Sequence, residues 1–432
     1  MKISVAIDDF TKLDSIVVLL EQMADVIQIK SLKRPEFLTD FKSWMAKRSF
    51  WIATLCLFLT LFGTNLPVPL YALYRTNWSL SPGKITLLYA VYAFAVIPTI
   101  VLSGQLARRW GLRNLFLTGA CCSLLGSICF GLADGPDLII VARLFQGLAV
   151  GLLNGVSVTF LTRLDYNHKK VGGAVAAAMA VTLGNALGPM FSGTLGMAFP
   201  ADSLNAPFAI HAVLTLFCML GLLYIHEERG DLNTNFRLLR PRIPVQVRKP
   251  FRLSAASSFV AWTIMSLYMS IIPAFMDRFI GTSSLLASGC ILAFVLLLSS
   301  ATQWFMRRQS PAVMSIVGIG LLMVGFAGLG WMLVFPSAAL FIVATMFIGS
   351  GHGPVYAGSL AYLNEHTFEN TRTDVIANFY VYIYLGVSVP VLGLAYGSGW
   401  IGLSEAALWL VGCMEAILAF ILPYWWIVKN RR

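Results

Sequence analysis

The sequence predicts an all-α membrane protein with twelve transmembrane helices in two six-helix pseudo-repeats. Three observations predict it. Apolar residues make up 58% of the 432-residue chain and charged residues 12%, about half the charged share of a soluble domain. The apolar residues fall in blocks of about 20 to 28, long enough to cross roughly 30 Å of hydrocarbon as helices. Lysine and arginine crowd into alternate segments between those blocks. Within lipid the backbone must satisfy its own hydrogen bonds, so long apolar blocks are read as helices.

The predicted spans are 49–74, 83–107, 113–133, 137–162, 171–199 and 206–226, then 252–276, 283–306, 312–335, 337–363, 375–398 and 405–428. Residues 1–48 stand apart, with eight basic and seven acidic side chains. Their stretch Leu13 to Ile29 is amphipathic but interrupted by Glu21 and Asp25, too acidic and too weakly apolar for a signal peptide. It reads as a cytoplasmic extension, a helix lying on the membrane surface. Residues 227–251 carry Arg237, Arg240, Arg242, Arg248 and Lys249 with prolines nearby. They read as a cytoplasmic linker between a 49–226 bundle and a 252–432 bundle.

With the N-terminus inside, 27 of the 31 lysines and arginines fall on the cytoplasmic side. Only Arg75, Lys84 and Arg278 fall outside, and Arg143 lies within the fourth span. The net charge of +11 therefore reports topology and an anionic inner leaflet rather than a nucleic-acid partner. The expectation is a multi-pass protein of the inner membrane, monomeric, with both termini cytoplasmic. Seven cysteines sit inside apolar blocks without metal-ligand spacing, as small buried hydrophobes would. No metal, cofactor or phosphate-cradling loop is predicted, and no soluble domain is available to host enzyme chemistry.

Internal repetition supports six plus six. Ala142–Gly147 aligns with Ala344–Gly349 at an offset of 202, and Gly151 with Gly353. Pro189 pairs with Pro390 and Gly196 with Gly397 at 201. Duplicated six-helix halves around a central site are one established transporter plan.

Three motifs carry more specific information. Gly104-Gln105-Leu106-Ala107-Arg108-Arg109-Trp110-Gly111 joins the second and third spans. Arg143-Leu144-Phe145-Gln146-Gly147 lies in the fourth span, and Gly184-Asn185-Ala186-Leu187-Gly188-Pro189-Met190-Phe191-Ser192-Gly193 in the fifth. Small residues at the latter spacing allow close helix approach, and the proline bends the helix. In these motifs the chain resembles the major facilitator superfamily and its twelve-helix proton-coupled drug exporters. Gly104, Leu106, Ala107, Arg109 and Gly111 match that family's loop signature, while Arg108 replaces its aspartate, which helps hold the outward-open state. The fifth-span motif is similar to the exporter and antiporter signature, departing only at Ser192. The resemblance implies a cavity lined by the first, fourth, seventh and tenth spans, proton transfer at Arg143, and alternating access.

By span membership the candidate pathway residues are Asn65, Arg143, Gln146, Asn154, Trp262, Tyr268, His352 and Tyr356, with Glu415 in the twelfth span. Arg143 is placed in the outer third, where snorkelling reduces its cost. His352 can titrate near neutral pH, and the glycines and Pro354 around it predict a helix break. The first six spans contain no well-buried carboxylate; Asn65 stands where many drug exporters carry one. His211 reads as an interfacial residue, and Trp78, Trp400, Trp425 and Trp426 as an aromatic belt. The expected function is proton-coupled export of small amphipathic molecules. Alternatives are an importer of a metabolite or siderophore chelate, and a membrane sensor.

Overall fold

The computed structural model describes residues 36–165, 170–225, 243–280, 284–368 and 371–430. The amphipathic stretch at Leu13–Ile29 and linker residues 226–242 lie outside them. The chain divides into units Met1–Arg48 and Ser49–Arg432, and the helical bundle is the second. Among the described residues there are fourteen α-helices and no strand. The first eight are α1 (Glu36–Asn65), α2 (Tyr71–Asn77), α3 (Pro82–Trp110), α4 (Leu112–Gly131), α5 (Pro136–Asn154), α6 (Ser157–Leu164), α7 (Lys170–Ala198) and α8 (Ala206–Leu222). The remaining six are α9 (Arg248–Ile280), α10 (Leu285–Met306), α11 (Pro311–Val334), α12 (Ala338–Glu365), α13 (Arg372–Ile401) and α14 (Leu403–Asn430). By length and composition eight described segments could cross a membrane: those in α3, α4, α5 and α10 through α14.

Two predicted spans are divided. The first breaks between α1 and α2, where Pro67 and Pro69 remove two backbone donors within one turn. Val68 N–H then turns back to Asn65 O (3.2 Å) and Leu70 N–H to Pro67 O (3.0 Å). The fourth breaks at Gly155, where Val156 N–H bonds Leu153 O at 3.2 Å. The break expected at Pro354 is absent, because a lone proline removes only one bond. Pro98, Pro189, Pro354, Pro390 and Pro423 all sit inside continuous helices. Gly111 joins α3 to α4 at φ 83°, ψ 157°, a region essentially open to glycine alone.

Close glycine contacts recur at the repeat offset. Carbons added to Gly147 and Gly151 would run into Tyr92 O and into Thr99 Cβ (2.7 Å) on α3. Carbons at Gly349 and Gly353 would likewise strike Val295 O (2.8 Å) and Ser299 O on α10. Gly184 seats α7 against α1 and Gly386 seats α13 against α9, where added carbons would lie 2.6 Å from Phe58 O and 2.5 Å from Phe259 O. Such backbone-to-backbone seams suit a lipid setting, where dispersion rather than water exclusion drives helix association.

The two ends of the bundle are cored differently. Toward the Trp78 end one continuous apolar core joins the halves: Leu66, Tyr71, Phe130 and Phe208 belong with Ile264 and Phe341. Toward the Gly111 end each half keeps its own core. Phe116, Phe160 and Leu222 belong to one, and Phe251, Leu363 and Phe379 to the other. Of the second half's described buried residues only Tyr384 joins the first half's core at this end. Trp425, expected in an interfacial belt, is instead fully buried and donates to Ser257 Oγ at 2.9 Å.

Candidate functional site

Between those separate cores lies a cavity of about 300 Å³, at the small end of the ligand-site range. It is lined from both halves by α1, α3, α5, α6, α7, α9, α10, α12 and α13. Six rings dominate: Tyr89, Tyr92, Trp262, Tyr356, Tyr380 and Tyr384. Amides come from Asn65, Asn154, Asn185 and Gln303. No charged side chain is found among the described lining residues.

Several polar contacts fix the walls. Asn65 Nδ2 donates to Asn185 Oδ1 (2.8 Å) and to Leu61 O (3.1 Å), tying α1 to α7. Asn154 Nδ2 donates to Tyr384 Oη at 3.0 Å, a bond between the halves. Tyr356 and Tyr380 hydroxyls lie 3.2 Å apart. Tyr92 meets Tyr384 edge-on, with ring centroids 6.4 Å apart.

Arg143 occupies a different place from the one expected. It neither snorkels nor lines the cavity; it is 1% exposed and packed between helices. The reason lies in the break of the first span. Pro67 cannot supply the N–H that Gly63 O would accept, and Val68 N–H has turned to Asn65 O. Two carbonyls at the end of α1 are thereby released. Gln146 Nε2 takes Gly63 O at 2.8 Å, and Arg143 Nη1 takes Thr64 O at 2.8 Å. Arg143 Nε also donates to Leu88 O (3.2 Å), and Nη1 to Gln146 Oε1 (2.9 Å). Its Cζ lies 5.5, 5.7 and 5.2 Å from the ring centroids of Tyr71, Tyr89 and Tyr92. The cation is thus held by carbonyls and aromatic faces.

Of the sequence candidates, Asn65, Asn154, Trp262 and Tyr356 line the cavity. Gln146 is buried beneath Arg143, and Tyr268 is buried in a 2.6 Å bond with Thr345 Oγ1. His352 lies behind the wall, with Nδ1 2.9 Å from Ser299 Oγ and its ring edge-on to Trp262 at 4.8 Å. Glu415 is remote, on α14. His211, expected at the interface, is fully buried: Nδ1 pairs with Ser127 Oγ (2.6 Å) and Nε2 with Leu59 O (2.8 Å). Tyr89, Tyr92, Asn185, Gln303, Tyr380 and Tyr384 were not anticipated. A usable signal exists in the spacings Tyr89/Tyr92 and Tyr380/Tyr384, three and four apart, which share one helix face.

The motif glycines serve two seams. Gly184 and Gly188 seat α7 on α1, where a carbon added to Gly188 would lie 2.5 Å from Phe62 O. Pro189 and Gly193 lie against the other half: Pro189 O abuts Gly289, and a carbon added to Gly193 would lie 2.5 Å from Leu285 O. On α3, Gly104 precedes Arg108 and Arg109 in the last turn, where cations complement the helix dipole. Arg113 caps α8, donating to Leu222 O (3.1 Å) and Leu223 O (2.6 Å).

Comparisons with known proteins agree with this architecture. Over 156 residues (35% of this chain, 32% of the relative) the chain is 28% identical to the cephamycin export protein CmcT of Amycolatopsis lactamdurans. It is 20% identical over 193 residues (44% and 48%) to the quinolone resistance protein NorA of Staphylococcus aureus. Matches to the curated relatives span 25 to 48% of those proteins' lengths. A solved D-xylose-proton symporter superposes with a TM-score of 0.68 at 17% identity, covering 87% of this chain and 96% of that one; at that identity the likeness concerns the fold. A profile of the Major Facilitator Superfamily matches residues 53–391. The chain belongs to that superfamily and is a multi-pass membrane protein.

Proposed function

We propose that the protein exports small amphipathic aromatic molecules by alternating access, driven by the proton-motive force. Bundles 49–226 and 252–432, joined by the cytoplasmic linker 227–251, rock about the cavity as a monomer with twelve crossings in the inner membrane. The observation that carries this reading is the uncharged, ring-lined cavity between the halves. Stacking rings with a few amides favour flat amphipathic compounds over sugars or metal chelates. The lysine and arginine bias assigns the Gly111 end to the cytoplasm, so the cavity stands open inward. The seam at Gly193 and Gly289, with Gly104, Arg108, Arg109 and Gly111 at the opposite end, forms the gating framework. One relative is named an export protein and another a drug-resistance protein, which supports the outward direction.

The test is efflux of a fluorescent quinolone from preloaded cells expressing the protein. The expected result is a lower cell content than in cells without it, returning to the control level when an uncoupler is added. Content above the control would refute export and favour uptake. Low content that survives the uncoupler would refute the energy source.

A further inference from the structure

The cavity carries an electrostatic signature that names a substrate class, on the reading that it is the substrate site. Arg143 places a full positive charge behind the wall formed by Tyr89 and Tyr92. Its described hydrogen-bond partners are two carbonyl oxygens at α1 and α3 and one amide oxygen, none of them a carboxylate. The described lining contributes no Asp or Glu to offset it. A cage of rings would ordinarily attract cations, but Arg143 already lies over Tyr89 and Tyr92.

A second observation is independent of that charge. Two polar atoms on the opposite wall are shielded from solvent and have no hydrogen-bond partner: Trp262 Nε1 and His352 Nε2. Their rings touch, with centroids 4.8 Å apart, and Trp262 lines the cavity. The indole N–H can only donate. His352 Nε2 carries a hydrogen and donates too in the tautomer in which Ser299 Oγ donates to Nδ1, and in the imidazolium. An unmade bond at a buried donor is costly, and an acceptor on a ligand satisfies the indole N–H once the Trp262 ring turns it toward the cavity.

We propose that the cavity selects aromatic acids: a flat ring stacked among the cavity tyrosines, with a carboxylate accepting from Trp262 Nε1 beside His352, in the field of Arg143. A ligand stacked on the far face of Tyr92 sits roughly 9 Å from the guanidinium. At an effective dielectric constant of about 20, one unit of charge there changes affinity roughly twentyfold. The sign favours anions and opposes cations.

The test is calorimetric titration of the full chain in lipid nanodiscs with three probes sharing one ring system: 2-naphthylacetate, 2-naphthylacetamide and (2-naphthylmethyl)trimethylammonium. The expected order is acid tighter than amide by about twentyfold, and amide tighter than cation by a similar factor. Trp262→Phe keeps a ring but removes the N–H. It should weaken the acid about fivefold more than the amide, whose neutral carbonyl accepts the same hydrogen bond more weakly. Equal binding of the three, or tighter binding of the cation, overturns the proposal, and wild type alone decides this where the variant does not fold. Binding carries no direction. The expected order combined with failed quinolone efflux would therefore refute export and leave the substrate class standing.

Discussion

The two halves of the bundle share a framework and differ at its centre. In each, a glycine pair on the fourth helix of the half presses onto the second: Gly147 and Gly151 against α3, Gly349 and Gly353 against α10. In each, a glycine seats the fifth helix on the first, Gly184 on Phe58 and Gly386 on Phe259. At the position aligned with Arg143, however, the second half carries Thr345, bonded to Tyr268 on the continuous helix α9. The first half needs an arginine because its first helix is broken and leaves two carbonyls to be satisfied. The second half has no such break there, and a neutral hydroxyl pair suffices. A duplicated scaffold thus tolerates divergence in its polar centre while its backbone contacts stay matched.

The largest effect should come from the shared part. Gly147→Val and Gly353→Val each drive a side chain into a carbonyl oxygen that cannot yield. Each should destabilise by about 3 kcal/mol or more, read as loss of folded, membrane-inserted protein in a thermal aggregation assay. Similar losses in both halves support equivalence; tolerance in one half breaks it.

Next come the substitutions at the point of divergence. Arg143→Met leaves the carbonyls of Thr64 and Leu88 with fewer donors, and should cost about 2–4 kcal/mol with loss of most transport. Arg143→Lys should restore only part, since an ammonium lacks the planar fork that spans α1 and α3. Thr345→Val removes one neutral bond and should cost about 1 kcal/mol. Equal costs at the two positions would erase the distinction drawn between the halves.

A smaller effect is expected at the bond that crosses between halves. Tyr384→Phe deletes the acceptor of Asn154 Nδ2 and should shift the inward–outward equilibrium by about 1 kcal/mol, or roughly fivefold. Spin-label distance distributions across the Gly111 end would show a larger minor population. An unchanged distribution would show that the bond follows the conformation without helping to set it.

Much of this architecture was legible in the sequence, because lipid demands long apolar helices and the repeat marks where helices must touch. Gly147, Gly184 and Gly353 could be recognised as contact points before their neighbours were known. The breaks at Pro67–Pro69 and Gly155 were not, since proline alone does not decide: Pro354 and Pro189 continue their helices. The cavity wall was half legible. Asn65, Asn154, Trp262 and Tyr356 lie on helices expected to line it, but Tyr92, Asn185 and Tyr384 come from helices two, five and eleven. Their exposure to the cavity depends on helix rotation, which hydropathy in a uniformly apolar span does not report. Arg143 was misplaced for a related reason: its position depends on carbonyls released elsewhere in the chain.

The central claim is that the seam between α7 and α10 at the Trp78 end must part during transport. A carbon built at Gly196 lies 3.9 Å from Leu285 Cβ, within the Cβ separation of a disulfide. The decisive measurement is transport by Gly196→Cys/Leu285→Cys in a background without the native cysteines, before and after oxidation. Transport should stop on oxidation and return with reductant. Undiminished transport by the cross-linked protein would contradict alternating access through this seam.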